Sequence, residues 1–293
     1  MRIVVSTPTG NIGSVVADRL LDAGAEVVAI HRDPTKVEHL AERGAEVLQG
    51  SLADPEFMKK ATAEADELFW VTPLDSKAAN LRSSQNDFGL AASSAVRANG
   101  VSRVVNVSSV GAQHDAGNGP VAGLHDVEEM FDATGAAVLH LRSAFFFENY
   151  IVQVQAIKAM GAIMMPVSGS TRIPMIATRD IAAVAAEKLL AEGWGESAIL
   201  GLHGPADISF DEASSSISSA IGRQVPHVAI DEMQARMGLS MMGLGQGAIE
   251  SLVELYKAIE SGHLDPAEPR SDETTTPTDL AEWAAEVIAP KFG

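Results

Sequence analysis

Short apolar runs alternate with stretches of helical spacing through the first half of the chain. Arg2–Val5 reads as an apolar strand, residues 7–13 as a tight turn, residues 14–23 as a helix and Glu26–His31 as a second strand. Together they make one βαβ unit. The rhythm continues with a helical stretch over 36–43 and a strand over 45–48 that ends at Gly50 and Ser51. A helix over 57–62 leads to the strand Glu67–Val71, which closes on Thr72 and Pro73. Leu81–Asn99 has helical spacing with Gly100 as its stop, 103–107 reads as a fifth strand, 126–133 as a helix and 137–141 as a sixth strand. Strands separated by helices of this length predict the α/β class, a doubly wound parallel sheet with right-handed crossovers. Ligands bind beyond the strand C-termini in such sheets, so the pattern gathers the 7–13 turn, Arg32, Ser51, Thr72 and the run from Ser108 to Val110 at one rim.

After residue 141 the alternation breaks. RSAFFFENY, residues 142–150, carries three consecutive phenylalanines, and Met160, Met164 and Met165 precede a loop over 166–171. Asp180 is expected to cap a helix over 181–190, and Ala198–Leu202 to return to the sheet. Phe210–Ile221 and residues 249–260 read as helices around a stretch, 233–247, rich in Met and Gly. A polar segment with Pro266, Pro269 and Pro277 precedes a final helix over 279–288. The expected division is therefore a Rossmann domain over 1–150, rejoined by about 175–205, and a smaller α/β lobe from 151–174 and 206–293.

The turn TPTGNIG, residues 7–13, carries the first chemistry. Gly10 and Gly13 have the spacing at which backbone approaches a pyrophosphate closely, and the amides of Asn11, Ile12 and Gly13 would meet the phosphates at a helix N-terminus, with Thr7 and Thr9 in the same bend. The turn follows a predicted strand and opens a predicted helix, the context such a motif requires. At the end of the second strand a carboxylate would bind the ribose 2′-OH of NAD, and an arginine the 2′-phosphate of NADP. Here stand His31 and Arg32, with Lys36 one turn on and Asp33 slightly past the usual acidic position. That balance favours NADP(H); the alternative is that Arg32 and Lys36 are solvated charges beside a proline turn.

Composition narrows the function classes. A formal net charge of −18 argues against nucleic acid and anionic membranes as partners, because phosphate contacts need clustered Lys and Arg. The absence of cysteine excludes disulfides, thiolate zinc sites and cysteine nucleophiles. No run approaches the roughly 18 apolar residues of a membrane span, and a cytoplasmic protein acting on a small molecule is expected. The eight histidines have no metal-binding spacing.

The chain resembles the NmrA-like atypical short-chain dehydrogenases. The resemblance lies in TPTGNIG, in HRDPTK after strand two, VVNVSS in strand five, EEMF with LRSAFFFEN, IATRDIAAVAAEKLL and LHGPADISFDEASSSISSAIGR. It implies that Arg32 meets the 2′-phosphate, that Thr72 and Pro73 run along the cofactor, and that Glu148 and Asn149 lie near the nicotinamide. Two departures stand at the cofactor: Thr7 replaces the first fingerprint glycine, so the turn is made with a side chain present, predicting weakened or reshaped phosphate binding, and Ser51 replaces an aspartate near the adenine. The third concerns catalysis. Ser109 fits the serine of the family's Ser-Tyr-Lys set, but Pro120 and Leu124 stand near the Tyr and Lys positions, so the usual proton relay is missing.

His125 and His114 are then the candidate proton donors. His125 on its helix would face Glu128 or Glu129; the plainer reading is an exposed helical charge pair. Phe145 and Phe147, with Phe146 between them, either stack on a flat substrate or bury the junction between lobes. Met241 and its neighbours suggest a pocket wall or lid, or a surface loop. Tyr150 is a possible replacement acid that would more often pack. Two functions remain: an NADPH-dependent reductase of a flat apolar acceptor (quinone, dye or enone), or a non-catalytic NADP(H)-responsive protein that signals to a partner. An isomerase or biosynthetic role using bound nucleotide stays open behind them, and a homodimer or a regulatory protein partner fits either main reading.

Overall fold

The computed structural model describes residues 1–191 and 194–292. Residues 192–193, inside the expected 175–205 return, and residue 293, at the end of the expected lobe, lie outside the described residues. In the first half, strands β1 (Arg2–Val5), β2 (Glu26–His31), β3 (Glu46–Gln49), β4 (Glu67–Val71), β5 (Arg103–Ser109) and β6 (Ala137–Ser143) alternate with helices α1 (Gly13–Asp22), α2 (Glu38–Glu42), α3 (Pro55–Ala61), α4 (Leu81–Asn99) and α5 (Val121–Asp132). The second half adds strands β7 (Phe145–Phe146), β8 (Ile163–Met165), β9 (Arg172–Ile176), β10 (Ala198–Leu202), β11 (Asp207–Ser209) and β12 (His227–Ala229). Its helices are α6 (Val154–Met160), α7 (Thr178–Leu190), α8 (Phe210–Ile221), α9 (Glu232–Met241), α10 (Gln246–Ser261) and α11 (Leu280–Trp283).

Seven strands form one parallel sheet in the order β10-β6-β5-β4-β1-β2-β3. The strands are covered on both faces, which is why they read as nearly continuous apolar runs. Alternate residues separate the two cores, as the period of two requires. Val4, Val28, Leu68, Val104 and Val138 face α3, α4 and α5, while Ile3, Val5, Val27, Phe69 and Val105 face α1 and α7. The order reverses between β1 and β4, so the loops leaving these neighbours diverge and open a crevice.

A third core lies beyond the strand C-termini. Phe147, Tyr150, Phe210, Trp283 and Ile288 are buried there, framed by the small sheets β11-β9-β7 and β12-β8. The Phe145–Phe146 strand pairs with Met175 and Ile176, so this lobe starts within the phenylalanine run.

Several boundaries differ from the sequence expectation. The helix expected from 126 begins at Val121 on the proline Pro120, a residue whose fixed φ suits a helix start. Asp180 does not cap α7; it sits in the first turn, and its carboxylate accepts from the Thr278 amide at 3.0 Å and hydroxyl at 2.7 Å, tying the C-terminal segment down. The Met- and Gly-rich stretch contains α9, opened by a reciprocal Asp231–Gln234 cap. The final helix runs as α11 and then widens into a π turn over Ala284–Ile288. Among the described residues no helix is long and apolar enough to cross a membrane.

Candidate functional site

The crevice between β1 and β4 holds a polar groove and an apolar cavity that share Leu74 as a wall. The groove, about 390 Å³, is lined by Thr7, Thr9, Arg32, Ser51, Pro73 and neighbours. The cavity, about 320 Å³, lies under the second lobe.

At the groove, the turn after β1 is drawn tight by the Gly10 amide, which donates to the Thr7 carbonyl at 3.0 Å. A Cβ on Gly13 would stand 2.1 Å from that same carbonyl oxygen, so only glycine lets α1 start this close to the strand end. Among the described residues every one with positive φ is a glycine, and Thr7, Gly10 and Gly13 are not among them. Thr7 therefore makes the bend without entering the left-handed region. No side chain caps α1 and no acid stands in its first turn. Among the described residues the amides of Asn11 and Ile12 donate to nothing. Unpaired amides at the positive end of a ten-residue helix suit an anion.

Arg32 lines this groove and, among the described residues, pairs with no carboxylate. Asp33 is committed elsewhere. Its carboxylate accepts from the Thr35 amide at 3.2 Å and hydroxyl at 2.8 Å, bonds that hold it below the usual carboxylate range. With the acid turned onto its own loop, the strand end offers a cation. Lys36 is exposed and does not line the groove.

The apolar cavity gathers Ile12 from the phosphate turn, Thr72 after β4, Ser108 and Ser109 at the end of β5, and Phe145, Phe146 and Asn149 from the phenylalanine run. Pro120 and Leu124, the residues at the family's Tyr and Lys positions, also line it. No acid, base, histidine or tyrosine is among its lining residues. The Thr72 hydroxyl accepts from the Trp70 indole at 2.9 Å, and the Ser109 hydroxyl donates to the Val110 carbonyl at 3.0 Å.

Other expected site residues lie elsewhere. His125 is outside the cavity lining; its Nδ1 stands 2.8 Å from the Ala112 carbonyl, and its Nε2 3.6 Å from Glu129, the plain helical pair. Its neighbour Asp126 is bound by Arg82 and Asn86. His114 stacks on His263 with ring centroids 4.2 Å apart, again away from the cavity. Neither histidine is among the residues that line the cavity. Phe147 is buried against Trp283. Glu148 accepts from the Thr178 amide and the Trp283 indole, joining α7 to α11. Met241, 87% exposed on α9, lines neither space. The Tyr150 phenol faces the Met175 sulfur, and burial pushes its pKa far up, so it is no replacement acid.

The structure adds residues that sequence reasoning did not assign: Gln85 of α4, and Leu252, Leu255 and Ile259 of α10, all in the cavity wall, and Phe88 in the groove. Their periodicity marks helix faces, but which face meets the cavity depends on how α4, α5 and α10 pack.

The chain is 31% identical to the NAD(P)H azoreductase of Xenophilus azovorans over 254 residues, 87% of this chain and 86% of that one. Its fold superposes with a TM-score of 0.82 and 23% identity on the NADPH-dependent quinone oxidoreductase of Escherichia coli complexed with NADPH, covering 98% of this chain and all of that one. The Citrobacter sp. triphenylmethane reductase complexed with NADP(H) superposes with the same TM-score and identity, over 99% of this chain. The profile of the NmrA-like family matches residues 1–284, nearly the whole of the fold described above: the chain belongs to the NmrA-like family.

Proposed function

We propose that the protein is an NADPH-dependent oxidoreductase that reduces a flat, apolar acceptor such as a quinone, dye or enone. The observation that carries this reading is the uncharged cavity walled by Ile12, Ser108, Phe145 and Phe146, which shares Leu74 as a wall with the groove lined by Arg32. The azoreductase likeness supports it. Residues 1–150 with 175–205 hold the nucleotide in this reading, and 151–174 with 206–293 close over the acceptor.

A bound NADPH supplies a hydride, two electrons and one proton, and leaves as NADP⁺. The unpaired amides of the 7–13 turn hold the pyrophosphate, and Arg32 takes the 2′-phosphate. Ser51 and Pro73 flank the adenosine, and Thr72, Ser108 and Asn149 flank the nicotinamide. Phe145 and Phe146 present apolar surface to the acceptor. Pro120 and Leu124 give no proton, so the reduced acceptor takes its second proton from water. This suits acceptors whose reduced anion is stable long enough to meet solvent.

Titration of NADPH and NADH against the protein's tryptophan fluorescence tests the cofactor assignment. We expect NADPH to bind more tightly. Arg32→Ala should weaken NADPH about tenfold, a charge-assisted hydrogen bond discounted for an exposed guanidinium, and leave NADH unchanged. Equal affinity of the unaltered protein for the two nucleotides refutes it. NADPH oxidation screened across quinones, dyes and enones tests catalysis. Tight NADPH binding without turnover of any acceptor would assign the chain to the nucleotide-responsive, non-catalytic reading, which the missing Tyr and Lys favour.

A further inference from the structure

The apolar cavity contains a polar side chain that hydride transfer does not use. Gln85 on α4 lines the cavity and is 2% exposed. Among the described residues its carboxamide forms no hydrogen bond, and Oε1 is fully buried without a partner. Ser108, equally buried and lining the same cavity, carries a second unpartnered oxygen. Nearly all buried polar groups in folded proteins are paired, and an unpaired one carries a desolvation penalty with nothing to offset it. Two such groups in one cavity point to a hydrogen-bonding partner that enters from outside the chain.

The place of the amide is built by its neighbours. Gly123, inside α5, faces it: a Cβ there would stand 2.3 Å from Oε1 and 2.8 Å from Cδ. Glycine inside a helix is unfavourable relative to alanine, and here it is the residue that leaves room for the carboxamide between α4 and α5. Val121, Leu124 and Leu74 complete the surroundings with apolar surface. A cation or carboxylate at this point would find no counter-charge in the lining. A carboxamide, which offers both a donor and an acceptor, matches a neutral polar group.

We propose that Gln85 is a specificity-determining residue: its carboxamide Nε2–H, together with the Ser108 hydroxyl, donates to a carbonyl of the acceptor and fixes that end of the molecule in the cavity, while Oε1 accepts from a hydroxyl or N–H of the same acceptor where it carries one. The proposal rests on the reading that this cavity takes the acceptor. A site with buried polar groups discriminates strongly against analogues that leave those groups unpaired. Carbonyl-bearing acceptors should therefore be preferred over equally flat ones without a carbonyl.

The test is Gln85→Met in the full chain, a variant that keeps the length of the side chain and removes its polar end. With menadione, a naphthoquinone, KM should rise about tenfold while kcat changes less, the signature of one lost hydrogen bond in acceptor binding. With crystal violet, a triarylmethane cation lacking a carbonyl, KM should stay within about twofold, as should KM for NADPH. Menadione quenching of tryptophan fluorescence in the presence of NADP⁺ should show the same loss without turnover. Tm should rise by about 2 °C, because an unpaired buried amide is gone. A fall in Tm with equal losses for every ligand would make Gln85 structural and overturn the proposal. A rise in KM for NADPH would assign the amide to the cofactor and overturn it too. Unchanged menadione binding in the variant overturns it even if the reductase reading stands. If the unaltered protein oxidises NADPH with no acceptor, the reductase reading fails, and the quenching titration still decides on Gln85. If menadione does not bind the unaltered protein, both fail.

Discussion

Gly13→Ala tests the phosphate turn most directly. The new Cβ would lie 2.1 Å from the Thr7 carbonyl oxygen, against an ordinary contact of 3.4 Å or more. That oxygen is not free to withdraw, since it accepts the Gly10 amide at 3.0 Å. The start of α1 must then move off the end of β1 by about 1 Å, a displacement that in a positioned site is of the size that costs about a hundredfold. We expect NADPH affinity to fall by that order, and stability by about 2 kcal/mol from overpacking. Gly10→Ala is the control: its Cβ would meet the same oxygen at 3.4 Å, an ordinary contact. It should leave stability within about 0.5 kcal/mol of the unaltered protein. Calorimetric titration with NADPH and thermal denaturation of both variants supply the comparison. A folded Gly13→Ala protein that binds NADPH as tightly as the unaltered one would refute the claim that this turn holds the pyrophosphate.

Two further outcomes follow from the geometry. His125→Ala and His114→Ala should leave kcat within about twofold, measured as NADPH oxidation with a reducible acceptor, because neither ring lines the cavity; a loss of an order of magnitude or more in either would restore a catalytic histidine. Asp126 is held below the usual carboxylate range chiefly by its bonds to Arg82, with Asn86 adding a third. A carboxylate whose folded pKa is depressed stabilises the fold above its unfolded pKa of about 3.9 and loses that contribution as pH falls through the folded value. Arg82→Ala should therefore lower Tm at pH 7 and narrow its gap to the unaltered protein in the most acidic solutions. A gap independent of pH would show that the pair contributes nothing through charge.

The sequence pattern carried the Rossmann half far. Its six strands and their connecting helices are visible because each strand is covered on both faces and each helix on one, so periods of two and 3.6 are written into the chain. The glycine turn was legible for a similar reason, since its contacts are to nearby backbone, the Gly10 amide to the Thr7 carbonyl. Reading failed where a side chain's role depends on distant partners. Glu148 looked like a cofactor neighbour and instead joins Thr178 to Trp283. His125 looked like an acid and lies against Ala112 and Glu129. Asp180 looked like a cap and holds Thr278.

What the residues alone determined is the parallel sheet and its glycine turn, both of which follow from local spacing and residue type; that Pro120 and Leu124 stand where the Tyr and Lys of the relay would be is what the family resemblance implies. Only the tertiary structure decided that Pro120 and Leu124 wall an uncharged cavity, that Asp33 is tied to its own loop and so leaves Arg32 free, and that Gln85 is buried unpaired against Gly123. The first and last of these depend on the packing of α4, α5 and α10 across the strand ends, where contacts between residues far apart in sequence set which face of each helix meets the cavity.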